Sequence, residues 1–132
     1  MPDAFVVDTH ALVWFLEANP RLGPAARAVL EKLDAVLLLP IIVIAEACWM
    51  IEHGRTSIPS INDFLVAIDN DQRLHAIPLD RSLIEIAAHL SPELEMHDRF
   101  IVATALAAQE KPISLLTADQ TIAKADIVPT IW

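Results

Sequence analysis

Four carboxylates border or interrupt apolar segments of this chain: Asp8, Glu46, Asp98 and Asp119. Asp8 ends the run Ala4-Phe5-Val6-Val7. Glu46 lies within the stretch Ile41 to Ile51. Asp98 opens a run through Phe100, Ile101 and Val102. Asp119 follows Ile113-Ser114-Leu115-Leu116 by three residues. An ionised carboxylate taken out of water must be neutralised, paired or metal-bound. Four of them suggest one acidic pocket for a hard divalent cation.

Each acid also has a simpler reading. Asp8 suits an N-cap. Asp98 suits the first turn of a helix, where the macrodipole favours negative charge. Asp119 suits a turn, and Glu46 a salt bridge to a distant Arg. Glu46 is the most telling of the four. On a helix its neighbours one turn away are Ile42, Val43, Trp49 and Met50, so it is expected to face apolar packing rather than water. By contrast, Arg27 and Glu31 read as an i,i+4 pair on a solvated face.

The donor types narrow the ion. Carboxylates without His/Cys ligand spacing suit Mg²⁺ or Mn²⁺ over zinc or copper. His10 and His97 stand near the acids but read as supporting or surface residues. Mg²⁺ held by carboxylates usually pairs with a substrate phosphate, which points to hydrolysis at phosphorus. Other chemistries lack their residues. There is no GxSxG elbow, and two glycines cannot build a GxGxxG or P-loop. An aspartyl phosphotransfer site wants a second Asp beside Asp8, and Asp8-Thr9-His10 has none. Cys48 reads as inert core. Trp14, Trp49 and Met50 read as core or interface.

The elements that position these acids alternate between strand and helix. Strands are expected at 4–7, 36–39, 74–77, 113–116 and 127–131, the last edge-like because of Pro129. Helices are expected at 9–17, 24–33, 43–53, from Ile61 to Ile68, 82–90, 98–110 and 121–125. Ser60 and Asp80 read as N-caps, and Gly54 as a C′ residue. Continuously apolar strands that alternate with helices predict an α/β, three-layer sandwich with a central, mostly parallel sheet flanked by helices. Ligands of such sheets lie beyond the carboxyl ends of the strands, where Asp8, Thr117 and Asp119 fall.

At 132 residues the expectation is a single domain, 1–132. The single cysteine fits a reducing compartment, and the N-terminus lacks a basic leader, so a cytoplasmic location is expected. The apolar stretch from Ala35 to Met50 is broken by Pro40 and Glu46 and is too short to span a bilayer. The formal charge of −9 argues against a broad nucleic-acid surface, though not against a nuclease whose bound cations offset its acids.

The ordered motifs resemble those of PIN-domain nucleases of the VapC toxin type, over essentially the whole chain. Val7-Asp8-Thr9-His10-Ala11-Leu12-Val13-Trp14 resembles the first motif, with Asn19-Pro20-Arg21-Leu22 as its continuation. Glu46 falls at the helical glutamate. His97 to Ala105 resembles the third acidic motif, Leu116 to Ile122 the fourth, and Val128 to Trp132 the closing strand. The chain departs from the pattern at Pro40, Ile42 and Val43, where relatives often carry Ser, and at Met96-His97, where many have Pro-Phe.

The resemblance implies a Mg²⁺-dependent endoribonuclease (Mn²⁺ as an alternative ion) that acts as the toxin of a toxin–antitoxin pair. Asp8, Glu46, Asp98 and Asp119 would be its acidic quartet. Thr117 would help place the water or a metal ligand. Arg99 has two readings: contact with an RNA phosphate, or pairing with a quartet carboxylate. The resemblance also implies a homodimer, an RNA substrate and a VapB-like antitoxin that covers the site. The competing readings are a PIN nuclease of RNA processing and a binding module with a degenerate site.

Overall fold

The computed structural model describes residues 3–132. Five strands form one sheet: β1 (Ala4–Val7), β2 (Val36–Pro40), β3 (Leu74–Ile77), β4 (Ile113–Leu116) and β5 (Thr130–Ile131). Every pairing is parallel, in the order β3-β2-β1-β4-β5. Parallel strands need crossovers, and helices supply them. These are α1 (Thr9–Leu16), α2 (Pro24–Leu30), α3 (Ile41–Glu52), α4 (Ile61–Asn70), α5 (Arg81–Ala88), α6 (Met96–Ala107) and α7 (Gln120–Ala125). The α/β sandwich expected from the alternating pattern is the observed architecture, with all five strands parallel.

The central strands show why their sequences are continuously apolar. All of β1 is buried, and so are Leu37, Leu38 and Leu39 of β2 and Leu115 and Leu116 of β4. Helices cover both faces, so neither side of the sheet meets water. The chain winds outward from β1 through β2 to β3, then returns to place β4 on the other side of β1. This reversal of strand order leaves a crevice at the carboxyl ends of β1 and β4.

Element ends depart from the sequence pattern for local reasons. Helix α2 stops at Leu30 rather than Leu33, and Leu33 is 92% exposed. The Arg73 guanidinium takes the carbonyls of Leu30 and Lys32, each at 2.6 Å, and is itself held by Asp71 at 2.9 Å. Helix α6 begins at Met96 and stops at Ala107, not Glu110. There the Lys111 ammonium reaches the carbonyls of Ala105 and Leu106. Helix α3 starts at Ile41, directly after the last residue of β2. Strand β5 is only two residues long, because Pro129 has no N–H to donate and contributes just its carbonyl, to Leu115. The Arg27–Glu31 pair does not form. Arg27 donates instead to the Asn19 carbonyl at 3.3 Å, which ties α2 to the turn after α1.

The caps fall where short polar residues predict them. Ser60 accepts from Asp63 N–H, and Asp80 from Leu83 N–H. Gly54 ends α3 at φ +64°. Its N–H meets the Ile51 carbonyl at 3.2 Å, and Arg55 N–H meets the Met50 carbonyl at 2.9 Å. This is a Schellman closure, which needs a left-handed residue at C′. A Cβ on Gly54 would touch nothing within 4 Å, so conformation alone selects glycine here. Gly54→Ala is expected to destabilise the protein by about 1 kcal/mol, read as a lower urea midpoint with an unchanged slope.

Candidate active site

The crevice holds an open pocket of about 460 Å³, and Asp8, Glu46, Asp98 and Asp119 all line it. Each comes from a different element. Asp8 follows β1 and caps α1, with its Oδ1 accepting from Thr9 N–H at 2.7 Å. Glu46 projects from the middle of α3. Asp98 lies in the first turn of α6. Asp119 caps α7 and accepts from the N–H groups of Thr121 and Ile122. The capping roles of Asp8 and Asp119 therefore coexist with their place in the pocket, because each uses one oxygen on its helix.

Thr117 joins two of the acids. Its hydroxyl donates to Asp8 Oδ2 at 2.6 Å and accepts from Asp119 N–H at 3.1 Å. It is buried, so its work is to orient Asp8 and to brace the turn that carries Asp119. Glu46 receives a hydrogen bond from the Thr9 hydroxyl at 3.3 Å. Among the described residues no buried side-chain polar atom lacks a partner.

Glu46 departs from expectation. It is half-buried and opens onto the pocket rather than into closed apolar packing. Helix α3 gives only Val43 and Ala47 fully to the core, and Trp49 remains 49% exposed. Helices α1, α4 and α6 and strand β2 pack around α3, and Ile42, Ile44, Met50 and Ile51 are partly buried against the core, while Trp49 stays near water. Arg99 does not line the pocket. Its Nε donates to the Leu94 carbonyl at 2.8 Å and so fastens the turn that precedes α6.

Two further pocket residues escaped the sequence pattern, Glu93 and Glu95, and His97, read from the sequence as a supporting or surface residue, lines the pocket with them. His97 Nε2 lies 3.5 Å from both Glu95 and Asp98. Glu95, His97 and Asp98 offer ligand atoms within 4.8 Å of one another. These residues sit in an irregular segment and the turn after it, where no periodicity marks a shared face. The dense acids around the buried Leu94 are the signal that was available. Burial and the nearby Glu52 charge push the Cys48 thiol up, away from the thiolate form.

Burial dominates the electrostatics of the pocket. It raises the Asp8 carboxyl above its ordinary range, against the bonds from Thr117 and Thr9 and the field of His10, while Asp119 adds to the rise. It raises Glu46 too; His97 opposes this and Asp8 reinforces it. Asp98 is pushed up to about 6, by burial first, with His97 opposing and Asp119, Asp8 and Glu95 adding repulsion. Carboxylates that repel one another in this pocket form a hard oxygen donor set with no Lys or Arg lining it among the described residues. Mg²⁺ or Mn²⁺ fits such a set.

With this geometry in view, the chain can be compared with known proteins. The PIN domain family model matches residues 5–128. The chain therefore belongs to the PIN-domain family, a class of nucleases. No curated protein matches it by sequence. Among solved structures it is similar to a chain of VapBC2 from Rickettsia felis bound to a DNA fragment from the promoter, at TM-score 0.70 and 16% identity, covering 97% of each chain. A toxin–antitoxin complex from Klebsiella pneumoniae gives TM-score 0.70 at 18% identity, covering 96% of this chain and 95% of that one. FitAcB from Neisseria gonorrhoeae gives 0.64 at 16%, covering 97% and 96%. At these identities the likeness is one of fold.

The raised carboxyls link stability to pH. The folded state keeps its Asp98 proton at pH values where the unfolded chain, with its ordinary pKa of 3.8, has released it. That stability is complete below 3.8 and is lost as pH rises through about 6. With its side chain 16% exposed, solvent screens only part of the effect. Asp98→Asn is expected to stabilise the metal-free protein near neutral pH by on the order of 1 kcal/mol. Thermal melts should show the gain closing toward acid pH. Added Mn²⁺ should reverse the order by stabilising the wild type more.

Proposed function

We propose that this chain is a Mg²⁺-dependent endoribonuclease, with Mn²⁺ able to substitute, and the toxin of a VapBC-type pair. The observation that carries this reading is the meeting of Asp8, Glu46, Asp98 and Asp119 in one pocket at the β1–β4 crevice. Membership of the PIN-domain family and the fold shared with chains of toxin–antitoxin complexes support it.

The quartet would hold the metal ion, and Asp8 would be held in place by Thr117 and Thr9. When bound, the ion supplies a water of lowered pKa and offsets charge on the phosphate. The protein's own residues bind and orient. The rigid ends of β1 and β4 fix Asp8, helix α3 presents Glu46, and the Arg99 latch sets the turn ahead of Asp98. His97 lies between Glu95 and Asp98, with its Nε2 3.5 Å from each carboxylate.

A VapB-like antitoxin would cover the pocket, and the acidic lining suits a basic segment of that partner. Exposed Leu65 and Val66 on α4 leave apolar surface for a homodimer contact. No helix among the described residues is long and apolar enough to cross a membrane. A cytoplasmic location is proposed with the RNA substrate.

Asp8→Asn and Asp98→Asn are each expected to lower RNA cleavage by roughly 100-fold or more, the loss of several kcal/mol of metal-assisted stabilisation. Cleavage of total cellular RNA, with circular dichroism as the control for folding, tests this. Undiminished Mg²⁺-dependent cleavage by both folded variants overturns the reading.

A further inference from the structure

A second groove, of about 310 Å³, adjoins the acidic pocket and shares Thr9, His10 and Glu46 with it. Its remaining lining is Trp49, Met50 and Arg55. Single exposed aromatics are ordinary on protein surfaces. Trp49 differs in how it is held and in what lies beside it. The His53 ring stacks on the indole, with centroids 4.1 Å apart and planes 22° from parallel. His53 Nδ1 lies 2.9 Å from the Trp49 carbonyl, which fixes the imidazole in that position. The Arg55 guanidinium carbon lies 5.4 Å from the indole centroid, a cation–π distance.

The backbone holds this group in place. The Schellman closure at Gly54 turns the chain back so that Arg55 returns to the indole. Immediately after it, Glu17 Oε2 takes the Thr56 hydroxyl, the Ser57 N–H and the Ser57 hydroxyl, at 2.8, 2.7 and 3.0 Å. Glu17 ends α1, the helix capped by Asp8. One short helix thus links the acidic pocket to the Arg55 segment.

Charge indicates the occupant. The acidic pocket has no Lys or Arg in its lining, and Arg55 is the single such cation lining the groove. A polyanion that extends from the acidic pocket into the adjoining groove meets Arg55 there, a cation for a flanking phosphate. Flat π-faces bind unpaired bases without regard to sequence.

Resting on the ribonuclease reading, we propose that Trp49 and Arg55 form a nucleotide subsite of the active site. Arg55 leaves the indole to pair with the phosphate of a nucleotide flanking the scissile bond, and the base of that nucleotide takes its place on the Trp49 ring, with His53 remaining stacked. His53 is a positioning residue that holds the indole. Single-stranded RNA is the occupant, since a duplex keeps its bases stacked and out of reach.

The test uses a short fluorescein-labelled single-stranded oligoribonucleotide, bound in Ca²⁺ and followed by anisotropy, then cleaved in Mg²⁺ for kcat/KM. Trp49→Ala and Arg55→Gln should each weaken binding about tenfold and lower kcat/KM to match. Trp49→Phe, which keeps a π-face, should restore most of both. Arg55→Gln should also flatten the salt dependence of binding by roughly one phosphate contact. An abasic residue beside the scissile bond should weaken binding to the wild type and not to Trp49→Ala, which a merely structural tryptophan would not produce.

Unchanged affinity and kcat/KM in folded Trp49→Ala overturns the subsite while the ribonuclease reading stands. Trp49-dependent binding without any cleavage by the wild type keeps the subsite and overturns the ribonuclease reading. If Trp49→Ala changes only the mass in sedimentation, or only affinity for a co-expressed antitoxin, the face is a protein interface and the subsite falls.

Discussion

The parallel pairing of β1 with β4 is the constraint on which the rest of the molecule depends. It aligns Val7 with Leu116, so the next residues on each strand, Asp8 and Thr117, meet across the sheet end. Their 2.6 Å hydrogen bond joins positions 109 residues apart. Because β2 lies on the other side of β1, the helices after β1 and β4 leave the sheet in different directions. The gap between them is the pocket. Slipping the β1–β4 register by one residue would exchange side chains of different size between two close-packed layers and part Asp8 from Thr117. The packing of the core therefore protects the geometry of the site.

Stability and function pull against each other here. Asp8 is partly buried at the pocket floor, and desolvation raises its proton affinity despite two good hydrogen bonds. Glu46 and Asp98 rise for the same reason. A chain optimised for stability alone would not gather these acids. The fold tolerates them because the sheet, with Leu37, Leu39, Leu115 and Leu116 fully buried, is firm enough to hold mutually repelling groups at its rim. Caps help as well. Asp8 and Asp119 each meet N–H groups at a helix start, which offsets part of their charge.

The same rim carries a gradient of character. Toward α6 it is acidic, with Glu93, Glu95 and Asp98; toward the end of α3 it is aromatic and cationic, with Trp49 and Arg55. The first character suits a cation, the second an unpaired nucleotide. A helix with one side on the core and the other on the groove explains why α3 is apolar almost throughout yet half exposed.

By itself the sequence determined the strand and helix types, the parallel sheet, the caps at Ser60 and Asp80, the left-handed Gly54 and the four acids that border or interrupt apolar runs. These are local matters of periodicity, backbone freedom and the cost of charge near apolar runs. Tertiary structure decided the rest. Helix α2 ended early because Arg73 arrives from a distant segment to take the carbonyls of Leu30 and Lys32. Arg27 left Glu31 for a carbonyl across the turn. Glu46 opens onto the pocket because the ends of β1 and β4 and the start of α6 leave a gap beside its helix. His97, Glu93 and Glu95 joined the acids, and Trp49 gained its cation, through folded proximity alone. A sequence pattern records which residues share an element's face; which faces meet depends on pairings between segments far apart along the chain.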